Sequence, residues 1–249
     1  MPKGGTVKSQ RPLIVGVGGT LRNGATSERA LRLALGVARE MGCATEIVVG
    51  EAINLPPYDP ADRNRSRAAK ALVEALRQAD GVILSSPAYH GTISGLLKNA
   101  LDYIEDMRGD KRVYLSERAV GIIVCADGIQ AMGSTVNTLR SIAHALRAWP
   151  TPFAAVVNSS AKPFAADGSC QVTGVEQSLR LVAAQVVEFA QMRIASDQIE
   201  AASADGSADN VANLISEWGE MMGTTDLSIQ RAISELGRPV GWASDYGSW

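Results

Sequence analysis

Aromatic side chains are scarce in this chain of 249 residues: four Trp, five Tyr and three Phe make up 5% of it. They are also unevenly spread. Trp149 lies mid-chain, whereas Trp218, Trp242 and Trp249 crowd the far end. The core is therefore expected to be aliphatic, and the C-terminal stretch carries rings that a plain solvated tail lacks. Histidine is scarcer still. His90 and His144 are too few for a His-rich metal site, and His144 sits in a helical pattern as a surface residue. The three cysteines, Cys43, Cys125 and Cys170, are odd in number and form no C-x-x-C pair, so neither a disulfide framework nor a zinc site is indicated. Cys43 and Cys125 lie in or beside apolar segments and read as buried, reduced thiols.

Charge of one sign is missing too. With 24 Lys+Arg against 26 Asp+Glu, the net charge is −2, which argues against a dedicated nucleic-acid binder. Long apolar runs are absent. The longest stretch without charge or polarity, 119–126, falls far short of the roughly 20 residues of a membrane span. Residues 1–12 show no apolar core of a secretory signal, so a soluble, cytoplasmic protein is expected. No G-x-S-x-G, H-E-x-x-H or G-x-x-x-x-G-K-[ST] occurs, which removes the usual warrant for most hydrolase and nucleoside-triphosphatase readings.

What is present is alternation. Short apolar, β-branched runs at 13–17, 45–49, 81–85, 119–125 and 153–157 predict strands. Stretches of helical spacing lie at 27–41, 65–78, 94–106, 134–147 and 175–192. Five such strands alternating with five helices imply βαβ units and a parallel sheet covered on both faces. The Ala/Ser/Asp/Gly-rich stretch 201–210 reads as a linker. Beyond it two further helices are expected at 211–222 and 227–236. Residues 205–249 hold two basic and seven acidic side chains, so this extension is distinctly acidic. The expected organisation is one domain over 12–195 and a Trp-containing extension over 205–249, packing on its own subunit or a neighbour as surface cover or as a lid.

In open parallel sheets, ligands bind beyond the carboxyl ends of the strands. Three loops there carry unusual residues. The first runs from Gly18 through Thr20, Arg22, Thr26 and Ser27. Its glycines, hydroxyls, cation and following helix start suit a terminal phosphate. It also fits an ordinary βα turn capped by Thr26 or Ser27. The second holds Pro87, Ala88, Tyr89, His90, Gly91 and Thr92. Pro87 stiffens the strand exit, and the Tyr89 ring can lie against a flat ligand. It equally reads as a structural turn with a solvated His90. The third, Ala126, Asp127 and Gly128 to Gly133 and Ser134, feeds a helix capped by Ser134 or Gly133 and offers backbone groups to a heterocycle edge. Alone it is also a plain glycine-containing connection. Arg63, Arg65, Arg67 and Lys70 form a basic cluster, read as a solvated helix start or as a contact for the 2′-phosphate of NADPH.

Together these segments resemble the NAD(P)H-dependent FMN reductase family of flavodoxin-like proteins. Gly19-Thr20-Leu21-Arg22 followed by Ser27-Glu28-Arg29-Ala30-Leu31 looks like its flavin-phosphate loop. Pro87-Ala88-Tyr89-His90-Gly91-Thr92 and then Gly95-Leu96-Leu97-Lys98-Asn99-Ala100-Leu101-Asp102 match its P-x-Y-x-G-[ST] and G-x-L-K-N-x-[IL]-D pattern. The likeness covers about residues 12–195. Ala25 stands where the family often has serine, His90 where asparagine is frequent, and Asp127 where glycine is common.

The resemblance implies a flavodoxin-like three-layer α/β sandwich, with a five-stranded parallel sheet, helices on both faces and a C-terminal helical extension. It implies an NAD(P)H:FMN oxidoreductase, passing hydride from NADPH or NADH to FMN and on to a small-molecule acceptor, a free flavin or a quinone-like compound. Thr20, Arg22, Thr26 and Ser27 would meet the FMN phosphate. Pro87, Ala88, Tyr89, His90, Gly91 and Thr92 would follow the ribityl chain and ring. Ala126, Asp127, Gly128 and Gly133 would border the ring's other edge. Hydride transfer needs stacking and orientation rather than a protein nucleophile, so no catalytic acid–base residue and no metal ligand is assigned. The alternatives are a flavin-retaining quinone or azo-compound reductase, and a non-enzymatic flavodoxin-like electron carrier. The implied assembly is a homodimer or homotetramer, with a flavin-dependent monooxygenase as a partner the family admits.

Overall fold

The computed structural model describes residues 11–204 and 208–221. Along the chain run β1 (Leu13–Gly18), α1 (Thr26–Glu40), β2 (Ala44–Val48), α2 (Arg67–Gln78), β3 (Gly81–Tyr89), β4 (Thr92–Ile93), α3 (Gly95–Asp102), β5 (Ala119–Ala126), α4 (Ile129–Ala145), β6 (Trp149–Asn158), α5 (Thr173–Ala204) and α6 (Ala208–Met221). Short 3₁₀ turns follow β2, α3 and β6. The main strands are parallel in the order β2-β1-β3-β5-β6, and β4 pairs antiparallel with the end of β3.

The central strands obey the two-residue period of a sheet buried on both sides. Val15, Val17, Val82, Leu84, Val120, Ile122 and Val124 join the core under α2, α3 and α4. Ile14, Ile83, Ile123 and Cys125 join the core under α1 and α5. That second core is built for close approach. A side chain at Gly16 would begin 2.7 Å from Leu35, and one at Gly121 would begin 2.7 Å from Val182. Aliphatic residues and glycine fill the centre of this face, where the helices approach closely, while Phe153, Phe164 and Phe189 pack only at its partly buried margin. β6 is an edge strand and so tolerates Pro150 and Pro152, which could not donate in a central strand.

Several boundaries differ from the sequence expectation. β3 runs on to Tyr89, because β4 supplies a partner for its end. Helix α4 starts at Ile129 rather than near Ser134, and Gly128 is its N-cap. The apolar spacing that predicts this helix runs through Leu139, Ile142 and Leu146, so its first turns, where Met132 is the first buried residue, carry little of that signal. Helix α1 is capped by Ala25, not by Thr26 or Ser27. The expected linker is largely helical: α5 continues to Ala204 and α6 begins at Ala208. Two compact units divide the chain within α5, after Arg193. The helix expected over 227–236, and Trp242, Tyr246 and Trp249, lie outside the described residues. None of the described helices is long and apolar enough to cross a membrane.

The N-terminal end of the sheet is closed by a charge the sequence reading overlooked. Arg118 is completely buried. Its guanidinium donates to the main-chain carbonyls of Ala79 (2.8 Å), Tyr114 (3.2 Å), Ser116 (3.1 Å) and Arg77 (2.8 Å). Burial pulls its pKa down to about 10, which still leaves it cationic at neutral pH.

Candidate functional site

At the carboxyl ends of β1, β3 and β5 lies a cavity of about 450 Å³. It is lined by Thr20, Arg22, Ala25, Thr26 and Ser27 from the first loop and helix start, and by Pro87, Ala88 and Tyr89 from β3. Cys125, Ala126, Asp127, Gly128 and Ala131 line it from the end of β5 and the start of α4, and Ser159 from the turn after β6. The volume suits a drug-sized or cofactor-sized ligand.

The first loop is shaped by its own main chain. The Gly19 amide extends the β1–β3 ladder to the Ser85 carbonyl (2.8 Å). The Arg22 amide donates to Thr20 Oγ1 (3.2 Å), and the Ala25 amide to the Arg22 carbonyl (3.2 Å). Ala25 has no oxygen with which to cap the first turn of α1. The amino end of a 15-residue helix, with its partial positive charge, therefore opens on a cavity to which this loop and helix start bring three hydroxyl residues, Thr20, Thr26 and Ser27, and the exposed Arg22. Ser85 Oγ donates to the Ser27 carbonyl (2.8 Å), which pins the helix start to the sheet.

The second segment is a hairpin rather than a loop. Tyr89 and Thr92 pair across a two-residue turn, His90-Gly91, with φ of +52° and +85°. Positive φ at both central residues is the turn that matches strand twist, and asparagine or glycine suits it best. That gives a physical reason for asparagine at the position of His90. The tip is held by Ser134 Oγ, which donates to the Gly91 carbonyl (2.7 Å). Ser86 Oγ accepts from the Ser94 amide (3.1 Å) at its base. Tyr89 is the exposed ring of the group, with 56% of its surface open.

His90, Gly91, Thr92 and Gly133 do not line the cavity. His90 and Gly91 form the hairpin turn and Thr92 begins its return strand, and Gly133 is drawn into α4 by the earlier start of that helix. Ala25, Cys125, Ala131 and Ser159 line it without having been predicted. The extension of the β5 end inward was the signal available for Cys125. Ser159 opens the turn after β6, a strand end at which no recognisable motif stands. Burial pushes the Cys125 thiol up to about 12, so it stays protonated and is no nucleophile at neutral pH.

Two residues singled out in the sequence, Arg65 of the basic cluster and Asn99 of the second motif, have structural partners. Arg65 is engaged in a bidentate pair with Asp106 (2.7 and 2.8 Å), and its guanidinium lies over the Tyr58 and Tyr103 rings at 4.6 and 5.4 Å. It is thereby withdrawn from the basic cluster. Asn99 of the second motif clamps the segment after β2: it donates to the carbonyls of Leu55 (3.2 Å) and Pro56 (2.8 Å) and accepts from the Tyr58 amide (2.8 Å).

A family model described as NADPH-dependent FMN reductase matches residues 12–162. The chain belongs to this family. Among curated relatives, the FMN-dependent NADPH-azoreductase of Staphylococcus aureus is 34% identical over 122 residues, which cover 48% of this chain and 61% of that protein. The chain thus spans less than two thirds of the length of the relative it matches. Solved structures of low identity share the fold. A flavoenzyme NAD(P)H:(acceptor) oxidoreductase from Paracoccus denitrificans superposes with a TM-score of 0.60 at 17% identity, covering 73% of this chain and 98% of its own. A flavodoxin-like, WrbA-like protein from Agrobacterium tumefaciens gives 0.53 at 16%, covering 74% and 99%. These likenesses establish a flavodoxin-like fold.

Proposed function

We propose that this chain is an NAD(P)H-dependent FMN reductase that passes reducing equivalents to a small-molecule acceptor. The observation that carries the reading is the uncapped amino end of α1 opening on a cavity at the carboxyl edge of the sheet. FMN fits the donors present. Thr20, Thr26, Ser27 and Arg22 gather donors and a cation at one end, suited to a phosphate. At the other end the exposed Tyr89 ring and the backbone of Ala126, Asp127 and Gly128 suit a flat heterocycle. When bound, FMN would supply hydride and electron transfer. The protein's own part is to bind, to orient and to keep one flavin face open to nicotinamide and acceptor in turn. No side chain here is asked to act as acid or base, and the protonated Cys125 is not recruited.

Identity to an azoreductase favours a second reading, a flavin-retaining azo-compound or quinone reductase on the same site. A homodimer or homotetramer in the cytoplasm, and a domain spanning 12–195, complete the proposal. Purified full-length protein should carry or take up FMN and oxidise NADPH or NADH anaerobically until bound flavin is bleached. Strong azo-dye or quinone turnover with poor reduction of free FMN would select the second reading. Absence of flavin binding together with absence of nicotinamide oxidation in the presence of FMN would overturn both.

A further inference from the structure

Helix α1 carries half of a capping box. In the full motif an N-cap hydroxyl accepts from the first turn, and an acidic residue three positions on reaches back to the N-cap amide. Here the N-cap is Ala25, so the first half is missing. The acidic half, Glu28, is present at its expected position, but the amide it accepts from is one residue earlier than the N-cap. Its Oε2 accepts from the amide of Gly24 at 2.8 Å, while the Ala25 amide turns back to the Arg22 carbonyl. Glu28 is only 5% exposed, and its Oε1 is engaged by Arg32 at 2.8 and 2.6 Å. Gly24 itself has a φ of +70°, a conformation that a loop adopts readily only with glycine. The Arg29 side chain lies against it and donates to the Ala165 carbonyl.

A carboxylate beneath an anion-binding loop would oppose the anion if it were free. This one is neutralised by Arg32, lies outside the cavity lining and is bonded to the loop's own backbone. We propose that Glu28 is a positioning residue: it holds the β1–α1 loop in its anion-receiving shape before any ligand arrives, while Ala25 leaves the first-turn amides uncompeted. The inference rests on the reading of this loop as the FMN-phosphate site and names what builds it. Preorganisation of this kind raises affinity by removing the ordering cost from the binding step.

The test compares FMN with riboflavin, which lacks the phosphate, in fluorescence titrations of the full-length apoprotein, with amide exchange at Gly24 as a second readout. The variants are Glu28→Ala, Glu28→Asp and Glu28→Gln. Ala removes the acceptor, Asp keeps the charge but loses reach, and Gln keeps an oxygen for the Gly24 amide. Glu28→Ala and Glu28→Asp should lose about tenfold or more in FMN affinity, with riboflavin changed by less than about threefold. Both should exchange the Gly24 amide faster. Glu28→Gln should stay within about threefold of wild type for both ligands and keep the amide protected. An unchanged FMN-to-riboflavin ratio in the Ala and Asp variants, or parallel weakening of both ligands, would overturn the proposal. So would failure of both variants to fold, which would make Glu28 a folding residue. A wild-type protein that binds FMN no better than riboflavin would overturn the phosphate reading itself, and the positioning role with it.

Discussion

The two ends of one sheet solve opposite problems with the same backbone. At the amino end of β3 and β5, main-chain carbonyls need donors, and Arg118 supplies them from within, its charge completely buried. At the carboxyl end of β1, the amides of the α1 start are left without a side-chain cap, beside a cavity. One pole saturates its polar groups and so is committed to stability. The other withholds saturation and so keeps binding free energy in reserve. A substitution should therefore register in unfolding at the first pole and in ligand affinity at the second.

Arg118→Met is the severest break. It leaves one buried and three partly buried carbonyl acceptors without their donor and should cost about 2–4 kcal/mol of stability. Urea unfolding would measure it. Flavin affinity of the folded fraction should be unchanged. A loss of affinity with unaltered stability would dissolve the contrast between the poles.

Arg22→Ala is the converse. The side chain is exposed at the cavity, so unfolding should shift by no more than about 0.5 kcal/mol. FMN binding should weaken by about 10- to 100-fold, the loss of a charge-assisted contact to a phosphate, while riboflavin binding should hold. Titration with both ligands checks this, and an equal effect on both would remove Arg22 from the phosphate end.

Asp106→Asn tests the ion pair that ties the segment before α2 to the turn after α3. Hydrogen bonding from the Arg65 guanidinium holds the Asp106 carboxyl below the ordinary carboxylate value of 3.8. As pH falls, the unfolded chain takes up this proton before the folded protein does. The stabilisation is therefore complete above 3.8 and is lost as pH drops through the folded value. The variant should be less stable by about 1–2 kcal/mol at neutral pH, the pair being mostly buried, and the gap should close in acid. A constant gap down to the acid limit would show that packing, not charge, holds the segment.

Much of this arrangement is legible in the residues, for identifiable reasons. The strands announce themselves because a sheet covered on both faces demands unbroken apolar runs such as Val120 to Cys125. The positions around Thr20, Tyr89 and Asp127 follow from the rule that ligands sit at strand carboxyl ends. Helix starts are harder. Ile129 is 83% exposed at the head of α4, so no burial pattern marks it, and Gly133 is misassigned to a loop in consequence. Glu28 is hidden because Ala25 breaks the Ser/Thr-x-x-Glu pattern that would reveal a capping box. Arg118 is invisible as a core residue because sequence shows only a charge flanking an apolar run. What it neutralises is set by tertiary contacts with residues some 40 positions away.

Cys125 provides the finest test, since it belongs to both themes: buried like the first pole, yet lining the cavity of the second. Its thiol is pushed up to about 12 by desolvation, so at pH 8 almost no thiolate exists to attack or be alkylated. Native-state maleimide labelling at that pH should therefore mark the partly exposed Cys170 and spare Cys125 and the buried Cys43. Cys125→Ala should lower stability by about 1 kcal/mol, as for a small cavity in a packed core, and leave nicotinamide oxidation within about twofold. Rapid labelling of Cys125, or a large loss of turnover with flavin still bound, would mean that the cavity reaches deeper into the sheet and uses this sulfur. The pole read here as purely receptive would then carry chemistry of its own.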